Sequence, residues 1–265
     1  MKNILEEFKN KYFLLKNITE EDIVIISDCV FGRIYTKKRS LELEKNILYS
    51  LSRFFYDEAL YNFFIEKDII KTKQSFYLSA IMELYLHLFF NDNDLFIISG
   101  YPLSAMLLSD NKKLINMYAN ITYNGYEKDL KKGHPMPFVQ AILKDDWKYL
   151  KEKIDFNREN FTSKKSNVWF DYDLDFFEAL LNKDIKKMEE AVLLLATKGH
   201  RKRNPTIYRK DLVSTPALTY AKLAYIKGFK LDINHPKVPK ELLEIKPNNE
   251  YWKYDFMKEG EYKNV

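Results

Sequence analysis

At 265 residues the chain can hold one large domain or two of ordinary size, and its 46% hydrophobic content supports a substantial core. The 19 Tyr, 19 Phe and 3 Trp set against 7 Gly and 8 Pro disfavour both a disordered chain and a turn-rich β-sandwich, which leaves helices as the economical expectation. Net charge is +5, but residues 1–132 balance 18 Lys or Arg against 18 Asp or Glu, so the excess lies in residues 133–265; the single cysteine, Cys29, excludes an internal disulfide framework.

Near the start, Glu6 and Glu7 stand where the apolar stretch of an export signal would begin, so a cytoplasmic, reducing location is expected. Thr19 followed by Glu20, Glu21 and Asp22 predicts a helix start, with a hydroxyl cap and acids facing the dipole. Apolar residues at Ile47, Leu48, Leu51, Phe54, Phe55, Ala59 and Phe63 line one face of a helix for which Ser40 is the expected N-cap. A further helix is expected from Ser75 to Phe90, ended by Asn91-Asp92-Asn93-Asp94.

The run Leu95-Phe96-Ile97-Ile98 is read as helical, although four residues do not separate helix from strand. The uncharged stretch Leu95 to Ser109 contains Gly100 and Pro102 and is shorter than the ~20 residues of a spanning helix, so no membrane crossing is expected. Pro102 suits a helix first turn, Asp110 is the expected cap of a helix through Leu114, Ile115 and Met117, and Pro137 opens another after a loop at 132–136.

An internal repeat follows. Phe138 to Ile154 aligns without gaps on Phe176 to Val192, and six of the 17 positions are identical, among them Phe138/Phe176, Ala141/Ala179 and Asp146/Asp184. An offset of 38 residues fits stacked, tetratricopeptide-like hairpins, with Asp146 and Asp184 at the turns as N-caps of the next helix. Thr215 is then a natural N-cap, with Pro216 at the first helical position and Gly228 at the C-terminal cap. The tail, Glu250-Tyr251-Trp252-Lys253-Tyr254-Asp255-Phe256, is aromatic enough that packing against the body is expected. The resulting expectation is an all-α protein: a helical bundle over 1–132 continuing into helical hairpins over 133–265.

Chemistry is harder to find. Seven glycines form neither a GxGxxG nor a GxxxxGK[ST] phosphate loop, and His87, His134, His200 and His235 lie far apart in the sequence. Glu83 and His87 are spaced i, i+4, but a buried His paired with a Glu explains them more simply than a metal. Cys29 reads as a small core residue, and Asp171, Asp173 and Asp175 as acids at a helix start. No cofactor or metal is expected. The stretch Lys198 to Lys210 holds six cations and no acid, which offers either a solvated loop or a salt-sensitive contact with nucleic acid; near charge balance elsewhere argues against the latter.

Residues 138–245 resemble a bacterial family, immunity protein family 49 of polymorphic toxin systems. The likeness is carried by Phe138 to Leu143 with Asp146, Phe176 to Leu181 with Asp184, Asp211-Leu212-Val213-Ser214-Thr215-Pro216-Ala217-Leu218, and the stretch from Lys227-Gly228-Phe229 to Leu243. The resemblance implies an all-helical, non-catalytic protein whose partner is a cognate toxin encoded by a neighbouring gene. Arg201, Lys202, Arg203, Trp169 and Trp252 are the candidate contact residues, since Arg and Trp dominate interface hot spots. The alternatives are a peptide-binding scaffold of stacked hairpins, or a nucleic-acid contact through 198–210.

Overall fold

The computed structural model describes residues 4–13, 16, 37–90, 101–122, 135–161, 168–197 and 209–254. Helices follow one another as α1 (residues 4–13), α2 (Lys37–Tyr61), a π-helical turn (Asn62–Glu66), α3 (Ile69–Phe90), α4 (Tyr101–Leu108), α5 (Lys112–Asn120), α6 (Met136–Leu143), α7 (Trp147–Phe161), α8 (Val168–Leu181), α9 (Ile185–Leu195), α10 (Arg209–Leu212), α11 (Thr215–Ile226) and α12 (Lys240–Leu243). The fold class is all-α, and no strand occurs among the described residues. The chain divides into two compact units, one of Met1–Leu95, Ser109–Leu114 and Pro247–Val265, the other of Phe96–Leu108 and Ile115–Lys246.

In the first unit α2 and α3 form a long hairpin whose facing surfaces bury Leu48, Leu51, Phe55 and Ala59 with Phe76, Ala80 and Leu84. Several helix starts differ from expectation. Ser40 lies inside α2, which is already formed at Lys37, and α3 begins at Ile69 rather than Ser75 because Asp68 caps it, its Oδ1 accepting from the Lys71 N–H at 3.0 Å. That backbone hydrogen bond holds the Asp68 carboxyl below the usual carboxylate range. Ser75 is thereby freed to point its hydroxyl at Glu58. The cap of α5 is Asn111, whose Oδ1 accepts from the Leu114 N–H at 2.9 Å; the expected cap, Asp110, instead turns inward in a left-handed conformation (φ 57°) and pairs with buried Lys73. Buried Lys73 needs a counter-ion, since an uncompensated buried charge is costly, whereas Asn111 can serve as the cap without charge.

The aromatic tail packs back as expected, within the same unit and as far as Tyr254. The Tyr251 hydroxyl donates to the Ser109 carbonyl and its ring meets Tyr77 at 4.9 Å. Gln74 and the Trp252 backbone exchange two hydrogen bonds, Nε2 to the carbonyl at 3.0 Å and the Trp252 N–H to Oε1 at 3.2 Å.

In the second unit α6, α7, α8, α9 and α11 each pack on the next, and α11 also meets α4 and α12. The two hairpin turns are the same structure 38 residues apart. Asp145 and Lys183 take φ 57° and 56°, and the following N–H groups, of Asp146 and Asp184, reach back to the Ala141 and Ala179 carbonyls at 2.9 and 2.8 Å. Each Asp then caps its helix, accepting from the Tyr149 and Lys187 N–H groups at 3.1 Å. The pattern closes one helix and opens the next within four residues, as in a Schellman motif with an Asp cap. Phe138 stacks on Phe177 (5.0 Å, 6°) and Phe176 on Tyr220 (4.9 Å, 12°), which ties both hairpins to α11.

Helix α11 starts one residue earlier than expected. Ser214 holds the N-cap position without a side-chain cap, because its hydroxyl donates to the Leu195 carbonyl, and Thr215 is the first helical residue, its carbonyl accepting from the Thr219 hydroxyl at 2.7 Å. Gly228 (φ 86°) ends α11: Phe229 N–H bonds to Ala224 O at 2.9 Å and Gly228 N–H to Tyr225 O at 3.0 Å. The buried Lys222 ammonium donates to the Leu243 and Glu244 carbonyls at 3.1 and 2.9 Å, satisfying the open end of α12.

Candidate functional site

Of the expected contact residues, only Trp252 has a described side chain. Arg201, Lys202 and Arg203 lie outside the described residues, as does the side chain of Trp169, which falls on α8. Trp252 is 52% exposed. The end of the basic run is not an open loop: Arg209 begins α10 and is fully buried, and the Lys210 carbonyl accepts from the Lys237 ammonium. Two of the acids expected to serve the helix dipole have partners elsewhere, while the Asp171 side chain lies outside the described residues. Asp173 is buried and accepts from the Tyr220 hydroxyl, while Asp175 pairs with Arg158 of α7, which also reaches Glu178 at 3.1 Å.

Glu83 and His87 are both buried on α3, and Glu83 accepts from the Ser52 hydroxyl of α2 at 2.6 Å, a role in packing rather than at a surface. Among the described residues no three His, Cys, Asp or Glu side chains gather as a metal site, and no helix is long and apolar enough to cross a membrane. Cys29, His134 and His200 lie outside the described residues.

Among the described residues, each unit holds a hollow. In the second unit a cleft of about 320 Å³ runs between α8 and α9, lined by Asp175, Glu178, Asp184, Glu190, Lys187 and Leu194 among others. Its four carboxylates face Lys187 and, at Asp175 and Glu178, Arg158, which leaves a net acidic surface, and Leu194, 44% exposed, gives it an apolar edge. Such a mixed surface suits a macromolecular contact better than a buried small molecule.

The first unit holds a hollow of about 490 Å³ at the junction of α1, α2, the π-helical turn, α3 and the C-terminal segment. Its floor is Glu58, whose Oε1 accepts from the Tyr12 hydroxyl at 3.2 Å and Oε2 from the Ser75 hydroxyl at 2.8 Å. Asn62, buried on the π-helical turn, donates to Ser75 Oγ at 3.2 Å and so fixes that hydroxyl toward the carboxylate. Tyr12 stacks on Tyr61 (4.1 Å, 14°), and Phe13 and Trp252, 46% and 52% exposed, stand at the rim. Burial raises the Glu58 carboxyl above its usual range, against the lowering by its Ser75 and Tyr12 hydrogen bonds and by Lys16. The same burial, with Glu58 beside it, pushes the Tyr12 phenol far up. The sequence hid this hollow because its walls come from positions as distant as Tyr12 and Trp252; only the tail's aromatic excess hinted at one of them.

Compared with known proteins, residues 130–242 match the family model described as Immunity protein 49. That segment takes in α6 through α11 and most of α12, the region whose helix-packing motifs carried the resemblance. No curated protein and no solved structure matches the chain.

Proposed function

We propose that this protein is the immunity partner of a bacterial toxin: a cytoplasmic, non-catalytic protein that binds its cognate toxin and neutralises it by stoichiometric association. The observation that carries this reading is the Immunity protein 49 match over residues 130–242, the segment built of the paired hairpins and α11. An acidic, leucine-edged cleft on the second hairpin is the kind of surface such an association uses. The proposed contacts also include Arg201, Lys202, Arg203, Trp169 and Trp252, residue types that anchor interfaces by combining charge with large apolar area.

The decisive experiment is co-expression with the adjacent gene of the source chromosome. Rescue of a bacterial host from that gene's toxicity, together with a complex that co-purifies, is the expected result. A harmless neighbour, or a toxic one that this protein neither binds nor relieves, overturns the reading.

A further inference from the structure

The hollow around Glu58 lies wholly within the first unit and outside the matched segment, and of the proposed toxin contacts Trp252 alone lines it. Its chemistry is specific. A part-buried carboxylate loses hydration, and a lone buried charge is costly unless a partner is found. Glu58 takes its two hydrogen bonds from the neutral hydroxyls of Tyr12 and Ser75 and has no ion-pair partner among the described residues. A carboxylate offers roughly four acceptor positions, so about two remain. The cations at the rim do not fill them: Lys71 is exposed and pairs with Asp68 at 3.4 Å, and exposed Lys16 acts on Glu58 only through space.

The half-exposed rings of Phe13 and Trp252 add the second element. Aromatic faces beside a carboxylate favour a cation carried on an apolar stem, since the ring attracts the charge and covers the methylenes together. An anion would meet the Glu58 charge, and a purely apolar group would leave that charge desolvated. Lys16 and Lys71 oppose a cation weakly, because both are exposed and screened over ~8 Å at physiological ionic strength, whereas Glu58 is shielded from salt. From this geometry we infer that the hollow is a binding site for a guanidinium or primary ammonium group on a short apolar stem, with Glu58 as counter-ion and Phe13 and Trp252 as flanking faces.

The test titrates the full chain with Nα-acetyl-arginine amide, followed by calorimetry and by ligand-observed NMR, beside free L-arginine and the neutral isostere Nα-acetyl-norleucine amide. The arginine probes are expected to saturate with a dissociation constant of ~1 mM or tighter and the norleucine probe to bind at least about tenfold more weakly. Glu58→Gln is expected to weaken the arginine probe about tenfold or more, and Trp252→Ala severalfold. Stronger binding of the blocked amide than of free arginine identifies the natural ligand as a side chain in a protein; the reverse order identifies a free small cation. No saturation by either arginine probe at ~20 mM overturns the inference, as does a norleucine probe that binds equally well. Circular dichroism checks that Glu58→Gln is folded. If it is not, Trp252→Ala decides, and unchanged affinity in that variant overturns the site. The outcome is independent of the co-expression experiment, which does not require this hollow.

Discussion

Lys73 and Asp110, 37 residues apart in sequence, form an ion pair whose side chains are only 2% and 1% exposed. Removing one member of a buried pair leaves the other charge in a medium that cannot hydrate it, at a typical cost of ~3–5 kcal/mol. Asp110→Asn keeps a residue type that tolerates the left-handed backbone yet abolishes the charge, so it isolates the electrostatic loss. Urea unfolding is expected to show Asp110→Asn and Lys73→Met each destabilised within that range. The double variant should lose less than the sum, and additivity would show that the pair does not act as a unit.

The hairpin turns make a prediction of opposite sign. Lys183 holds φ 56° and is exposed, so its backbone conformation is unfavourable for a side-chain-bearing residue. Lys183→Gly is expected to stabilise the protein by ~0.5–1 kcal/mol, the relief of strain exceeding the extra unfolded-state entropy of glycine. Asp145→Gly should gain less, because Asp145 also pairs with Lys227 at 2.5 Å. Thermal unfolding of the two variants gives the ranking.

Tyr220→Phe probes the anchor of α11 on α8. The Tyr220 hydroxyl donates to the buried Asp173 carboxylate, and deleting it removes a hydrogen bond to a charged group while keeping both ring contacts with Phe176 and Phe177. A loss of about 1.5–3 kcal/mol is expected from chemical denaturation, and a neutral result would show that the ring alone secures the helix.

Glu58 gives the pH signature. Burial raises its carboxyl in the folded state, so the folded form binds the proton more tightly than the unfolded one. The stability from this group is therefore fully present below the ordinary glutamate value of about 4.3 and is lost as pH rises through the raised folded value. Glu58→Gln does not ionise, so its stability relative to the natural chain is expected to increase in urea titrations as pH rises from the ordinary glutamate value through the raised folded one. A difference that stays constant with pH would remove Glu58 as the origin.

What the sequence made legible was local. Asp146 and Asp184 declared the hairpin turns because a cap needs only the residue and its next few neighbours, and the 38-residue offset survived as identical hydrogen bonds. Asp68 is just as good a cap as those two, yet the expected helix start is Ser75, whose hydroxyl instead faces inward to Glu58 and Asn62, partners that its neighbours in sequence do not announce. Asp110 and Asn111 are adjacent and equally able to cap; Lys73, far off in sequence, decides between them. The hollow around Glu58 was illegible for the same reason on a larger scale, since no periodicity links Tyr12, Ser75 and Trp252. Long-range partners are set by packing, and a single sequence carries no record of who meets whom.

The exchange of hydrogen bonds between Gln74 and Trp252 has a consequence for how the protein is made. These residues are separated by 178 positions, and a ribosome adding ~5–20 residues per second needs roughly 9–35 s to travel between them. For much of that interval α2 and α3 are complete but lack the segment whose rings meet Phe55 and Tyr77. The hairpins of the other unit are meanwhile emitted in one piece. Vectorial synthesis thus completes the second unit before the first, and a nascent chain stalled ahead of Trp252 would present aromatic surface to the chaperones and proteases that patrol unfinished products.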